Sequence, residues 1–443
     1  MKIKAAYLKS LSFILSLLLL AFIAYSAPTR SKQIKLTSSY PATVCPALGG
    51  EITSTAALTN SKISRRQIDG RSKKLSVGKS NAISLKSDAV LVEGNPGTAL
   101  TFAINKWKAV VPCSVSNGEQ WFAGGSGALT SKSVLHIINS GFSEASVDIE
   151  VFAPNGALPP STVSIPQNST KKISVDTLIP GEEVIMIAVK TKSGRVSSYL
   201  FDERKKGLKS LGADFVAPVA APTKHLTIAA ITGLTGKLID RNNLINHSMR
   251  LLVPGKIDAE VEVIINSKDG NFVPIGLSQF SAASQRVLNI PLTFAPSNQP
   301  FSIIINSTQP ILASVLTNLT FSKSEEFAWA TASDQLTQWS ANLIGSKPTL
   351  TFSGDRINVL ITAVSINGKK IEERISGSNF TTWQAPTGLN RLQVVAKGKG
   401  ISGGVILFPE SGSIGSSYIP MNNGANLETA AEPISDAGVI TRG

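Results

Sequence analysis

The chain has 443 residues and a formal charge of +14, yet only 16% of its residues are charged and 42% are apolar. That apolar share can bury real cores, so the composition excludes a wholly disordered chain. With three His, two Cys and abundant Ser, Thr, Asn, Val and Ile, it suits an exported β protein better than a cytosolic enzyme, and the length allows about two to four domains of ~100–200 residues.

The N-terminus reads as an export segment over residues 1–27. Lys2, Lys4 and Lys9 precede an apolar run from Leu11 to Tyr25, and Ala24 and Ser26 suit cleavage after Ser26. The run is long for a signal peptide but short for a comfortable span, so cleaved signal and signal anchor stay open. Either way, the chain from about Arg30 onward is expected outside the membrane.

Residues 28–115 form a first, degenerate β module. Its clearest piece is a hairpin from Ala89–Val92 to Leu100–Phe102. Cys45 and Cys113 both flank proline, and in an exported chain they are expected to form a disulfide. Between Arg30 and Lys86, eleven basic residues face two acidic ones. Arg65, Arg66, Arg71, Lys73 and Lys74 are the candidates for polyanion contact. Outside a cell the available polyanions are anionic lipid headgroups and cell-wall polymers rather than nucleic acid. The plain alternative is a solvated loop.

Three further β modules follow at 116–222, 223–332 and 333–420. One phrase recurs in them. Val147-x-Ile149-x-Val151 leads to Asn155-Gly156, Val261-x-Val263-x-Ile265 to Asp269-Gly270, and Val359-x-Ile361-x-Ala363 to Asn367-Gly368. Each is an alternating strand ending in a hairpin dipeptide. The second module carries seven or eight short strands in about 100 residues, as an immunoglobulin-like sandwich does. The expected fold is all-β, a tandem array of antiparallel sandwiches, with a propeller as the rival. Residues 421–443 are small and polar and are expected to be a mostly disordered tail.

The second module opens with Trp121-Phe-Ala-Gly-Gly-Ser126. It continues through Asn139-Ser-Gly141, Ala145, Val147, Ile149, Val151 and Asn155-Gly156. This resembles a W-[YF]-x-x-G-[ST] pattern of secreted bacterial proteins. Gly212–Pro218 and Val44-Cys-Pro46 also resemble an actinobacterial exported family of unknown function. The resemblance implies fold and address only, because that family supplies no catalytic residues to carry over.

Chemistry-bearing motifs are sparse. His136, His225 and His247 have no metal-ligand spacing, so no metal or other cofactor is expected. Ser126 lacks the second outer glycine of a nucleophile elbow, and Gly78-Lys79-Ser80 lacks the first glycine of a phosphate loop. Trp339 and Trp383 are the candidates for stacking on sugar rings, against the plainer role of core filling. Asp148 and Glu150 alternate on the wet face of a strand, where solubility is their ordinary role. The expected function is therefore non-catalytic: an extracytoplasmic structural, scaffold or binding protein of the bacterial cell envelope. An array of carbohydrate-binding or wall-polymer-binding modules is the alternative, and an envelope hydrolase the third reading.

Overall fold

Alternation of apolar and polar residues becomes strand along most of the described residues. In Ala145–Ala153, Ala145, Val147, Ile149 and Val151 are buried while Ser146, Asp148 and Glu150 stand half-exposed. The wet-face acids pair with lysines of the neighbouring strand, Glu150 with Lys190 and Asp148 with Lys192, each at 2.8 Å. The computed structural model describes residues 42–59, 64–68, 81–93, 97–233, 244–293, 299–320, 324–343, 347–386, 388–407 and 415–423, with Leu15, Leu18, Ser38, Ser39, Leu427 and Glu428.

Four consecutive stretches build the sheets. The first supplies two four-stranded sheets. One holds Thr43–Cys45, Ser64–Gln67, Val90–Glu93 and Ser114–Val115; the other holds Thr53–Ala57, Ala82–Leu85, Leu100–Ile104 and Lys108–Pro112. The Cys45–Cys113 disulfide forms, closing a separation of 68 residues. The second stretch pairs a five-stranded sheet around Ala145–Ala153 with a four-stranded sheet around Val134–Asn139 and Val196–Lys206. The three recurring strands each turn as a hairpin, with Ala153 opposite Gly156, Ser267 opposite Gly270 and Val364 opposite Lys370.

The third and fourth stretches depart from the sequence reading. Ser302–Asn306 and Ile311–Leu316 read as separate strands, but they are one strand, Phe301–Thr320. Its first half pairs with Thr223–Ile231 and Ala259–Ser267, and its second half with Leu244–Leu252 and Glu325–Thr331. Pro310 stands at the handover, where a missing N–H costs the ladders least. In the fourth stretch Thr349–Ser365 is likewise continuous. It bends at a bulge between Gly354 and Ile357. A Cβ on Gly354 would come within 2.5 Å of Gly400 O, so this bend requires glycine.

The four modules do not hang as beads; each shares a core with the next. Trp107 and Ala109 of the first pack with Tyr199, Phe201 and Phe215 of the second. Leu316, Phe327 and Trp329 of the third complete the core of the second. Ile406 and Tyr418 of the fourth enter the core of the third. Ala57, Leu100, Phe102 and Val110 of the first then join Trp339 and Leu350 of the fourth. Thr98 N–H donates to Ser340 O at 2.7 Å across this last seam, and Asn342 Nδ2 to Leu58 O at 3.1 Å. The contacts run in a closed cycle.

The ordered chain also extends beyond the boundary expected at Met421. Met421 is fully buried in the fourth core. Asn423 accepts the Thr337 and Gln338 N–H groups and donates to Gln335 O. These bonds hold a stretch that composition alone marks as tail. A separate unit comprises Met1–Ser39 and Leu427–Gly443. Within it Ser38–Ser39 pairs antiparallel with Leu427–Glu428. Of residues 1–27, read from sequence as an export segment, only Leu15 and Leu18 are described, both helical. Among the described residues no helix is long and apolar enough to cross a membrane.

Candidate functional site

The Trp121 motif is an interlock. Trp121 exchanges two backbone hydrogen bonds with Val219, at 2.9 and 2.8 Å. Its ring lies 5.8 Å from Phe152 and beneath the Lys190 ammonium at 5.6 Å. The glycines after it make room. A Cβ on Gly124 would touch the Trp329 ring at 3.0 Å, and one on Gly127 would fall 2.1 Å from Ile179 O. Against this flattened loop Arg250 of the third module donates to Gly125 O at 2.5 Å, Glu183 O at 2.9 Å and Ile185 O at 3.2 Å. Its guanidinium stacks on Trp329 at 4.7 Å. Ser126, far from being a nucleophile, is buried and accepts the Ala128 N–H at 3.1 Å.

Behind Trp329 two aspartates face one another as direct strand partners, Asp202 and Asp214, both fully buried. Burial alone would raise the Asp202 carboxyl. Arg204 and hydrogen bonds from Ser133, Ser131 and the Trp329 indole together hold it below its usual value. Asp214 has no cation beside it. Burial outweighs hydrogen bonds from Ser417 and the Trp329 and Phe215 N–H groups, and its carboxyl is pushed well up. Nearby, burial lifts Glu326 to about 8, against one hydrogen bond from the Gly415 N–H. These groups bond into the seams, and their buried carboxylates line none of the four cavities described below.

The open space lies beside the Ala217-Pro-Val-Ala-Ala-Pro222 linker. Two adjoining cavities of about 280 and 330 Å3 share Val219, Ala220, Ala332 and Asp334 as walls. The smaller draws on all four modules, from Thr43 and Cys113 through Asn117 to Asn422. The larger continues along Thr223–Thr227 to Ser402. Asp334 is the single carboxylate in both, and no Lys or Arg is among the described lining residues. Asp334 N–H donates to Asn422 Oδ1 at 2.9 Å, fixing the backbone at this shared wall. Surrounding protein pushes its carboxyl up from the ordinary value by desolvation. Two further cavities each hold one carboxylate, Glu150 beneath Trp121 and Glu182 beside Gly181.

The residues singled out from sequence do not converge here. Trp339 is 1% exposed and Trp383 7%, so both rings sit in the fourth core instead of forming a platform for sugar. Their alternation with polar neighbours comes from strand geometry, which turns the Trp inward. Trp383 Nε1–H is satisfied by Glu373 at 2.6 Å. Arg65 and Arg66 lie on Ser64–Gln67, opposite Val92 and Leu91. Arg71, Lys73 and Lys74, like Gly78–Ser80, lie outside the described residues. His136 and His247 are enclosed, and burial lowers them to about 3 and about 4; His225 meets Asn306 at 2.6 Å. Asp202, Asp214, Arg250 and Asp334 escaped the sequence reading. Asp214 and Arg250 did carry a signal, a lone charge set in an apolar strand run, Ala213-Asp-Phe-Val216 and Met249-Arg-Leu-Leu252, whereas Asp202 opens the charged run Asp202-Glu-Arg-Lys-Lys206.

Shared cores, antiparallel sheets and a disulfide define an all-β protein of fused sandwiches. The chain belongs to the family of unknown function DUF5719, whose model matches residues 108–375. No curated protein matches it. Among solved structures, Thermotoga maritima 1070 is similar at 12% identity over 25% of this chain and 93% of that one, with a TM-score of 0.21. A likeness of that extent transfers no property.

Proposed function

We propose that the protein is a non-catalytic, extracytoplasmic scaffold or binding body of the bacterial cell envelope. The observation that carries this reading is the cyclic sharing of cores, which makes four modules one rigid unit. Rigidity of that kind suits a body that holds surfaces at fixed separations. The Cys45–Cys113 disulfide supports an oxidising compartment. The apolar run after Lys2, Lys4 and Lys9 supports export. The buried aspartates serve the seams, and each described cavity presents a single carboxylate, where glycoside hydrolysis by the usual route needs a pair. The exported, actinobacterial character implied by the sequence resemblance belongs to the same proposal.

The basic stretch that includes Arg65, Arg66, Arg71, Lys73 and Lys74 is assigned to anionic lipid headgroups or wall polymer. A test labels intact cells with a membrane-impermeant amine reagent, then crosslinks at the surface. Labelling of exposed lysines such as Lys192 and Lys370, with recovery of envelope components, is the expected result. Protection of both lysines until the cells are lysed would refute the address. Wall or liposome sedimentation unchanged by salt, or by neutralising Arg65 and Arg66, would refute the polyanion contact.

A further inference from the structure

We propose that the paired cleft along the Ala217–Pro222 linker binds a short peptide through its free amine, with Asp334 as the counter-ion. This rests on the cleft alone and holds whether or not the protein is an envelope scaffold.

The first ground is the charge pattern. The chain carries a formal +14, yet among the described residues lining the two cavities there is one carboxylate and no Lys or Arg. No described hydrogen bond or ion pair reaches the Asp334 carboxylate; its backbone alone is tied, to Asn422. A carboxylate placed in a cleft without a partner favours a cation from outside and disfavours anions. Neighbouring protein raises this carboxyl by desolvation while leaving the residue open to an arriving ammonium group.

The second ground is the remaining chemistry. The Asn422 side-chain Oδ1 is engaged by the Asp334 N–H, which leaves its amide N–H2 without a described partner. Asn117 also lines the smaller cavity; its backbone is tied to Val196 and Thr191, and its side-chain amide has no described partner. Amide N–H2 groups are donors of the kind that peptide carbonyls accept. The walls between are Val219, Ala220 and Ala332, small apolar surfaces that fit methyl-sized side chains. No Trp, Tyr or Phe lines either cavity, so the stacking that sugar recognition relies on is not supplied. Cavities of about 280 and 330 Å3 are of the size that takes a di- or tripeptide.

The experiment is calorimetric or ligand-observed NMR titration of the full chain with alanyl-alanine amide, beside the same probe acetylated at its amine. The expected result is saturable binding of the free amine, at least tenfold weaker for the acetylated probe and for Asp334→Asn. Ala220 is exposed at the shared wall, so Ala220→Phe is expected to fold normally and to abolish binding by filling the cleft. Absence of binding by the free amine overturns the proposal. So does equal binding of the two probes, or binding that survives Ala220→Phe. If Asp334→Asn fails to fold, the acetylated probe and Ala220→Phe still decide.

Discussion

Ser417 and Asp214, 203 residues apart in sequence, meet at 2.6 Å in the buried centre of the protein. The same hydroxyl accepts the Val110 N–H at 3.1 Å and lies 3.3 Å from Val110 O. One side chain near the C-terminus thus bridges the first, second and fourth modules. Asp214 in turn accepts the Trp329 N–H of the third at 2.9 Å. Ser417 Oγ–H donates to Asp214 Oδ1, and burial pushes the Asp214 carboxyl well up from its ordinary value. That arrangement leaves no atom of the bridge unsatisfied.

Burial pushes Asp214 toward its neutral form, which asparagine mimics. Asp214→Asn is expected to cost less than about 1 kcal/mol, because its amide donates to Ser417 and its oxygen accepts from Trp329. Asp214→Ala strands both partners and is expected to cost about 2–3 kcal/mol. Urea unfolding of the two variants checks the difference; equal losses would show that Asp214 is held as a carboxylate.

Glu326 makes stability depend on pH. An acid with a higher pKa folded than unfolded binds more protons in the folded state. Between its ordinary value of 4.5 and the folded value of about 8, rising pH therefore withdraws stability, and the loss is complete above about 8. Asp214 acts in the same direction; His136 and His247, lowered by burial, act oppositely on the acid side. Glu326→Gln removes one contribution cleanly. The gap in Tm between variant and wild type is expected to grow in the variant's favour from pH 5 to pH 8.5, and a gap constant across that range contradicts the assignment.

Arg250 holds the second and third modules together through three backbone carbonyls and one indole face. Arg250→Ala is expected to cost about 3–5 kcal/mol, since those carbonyls stay buried without donors. Arg250→Lys should rescue little of it, because one ammonium cannot span the fork of acceptors or stack on Trp329. Chemical denaturation and proteolysis at the Ala217–Pro222 linker both report the loss.

The glycine pattern after Trp121 is steric. Gly127→Ala places a methyl 2.1 Å from Ile179 O, whereas Gly118, with nothing within 4 Å of its Cβ position, serves as control. The first is expected to lower stability by at least about 2 kcal/mol and the second to stay within about 0.5. Thermal melts of the two variants side by side test this.

The strands were legible because their alternation is local. Val147, Ile149 and Val151 announce one buried face, and Asn155-Gly156 announces its turn, whatever the rest of the chain does. The cyclic closure was not legible, because it depends on pairs such as Thr98 and Ser340 whose separation no window spans. Trp383 shows the limit at a single residue. Its neighbours Thr382 and Gln384 read as a wet strand, and only the tertiary core decides that the indole points inward. Asp334 carries no local mark at all; its place on the shared wall of two cavities exists only once the four modules have met.

The bridge at Ser417 sets an order on assembly. A chain made from its N-terminus exposes Val110 and the flanks of three sandwiches long before residues 417–421 emerge to cover them. Until then Val110 and Asp214 lack their shared partner, and the apolar surfaces that Ile419 and Met421 cover are bare to neighbouring chains. A chain cut short of Ser417 therefore keeps the Thr98–Ser340 seam but lacks the side chain that ties the first, second and fourth modules at a single point.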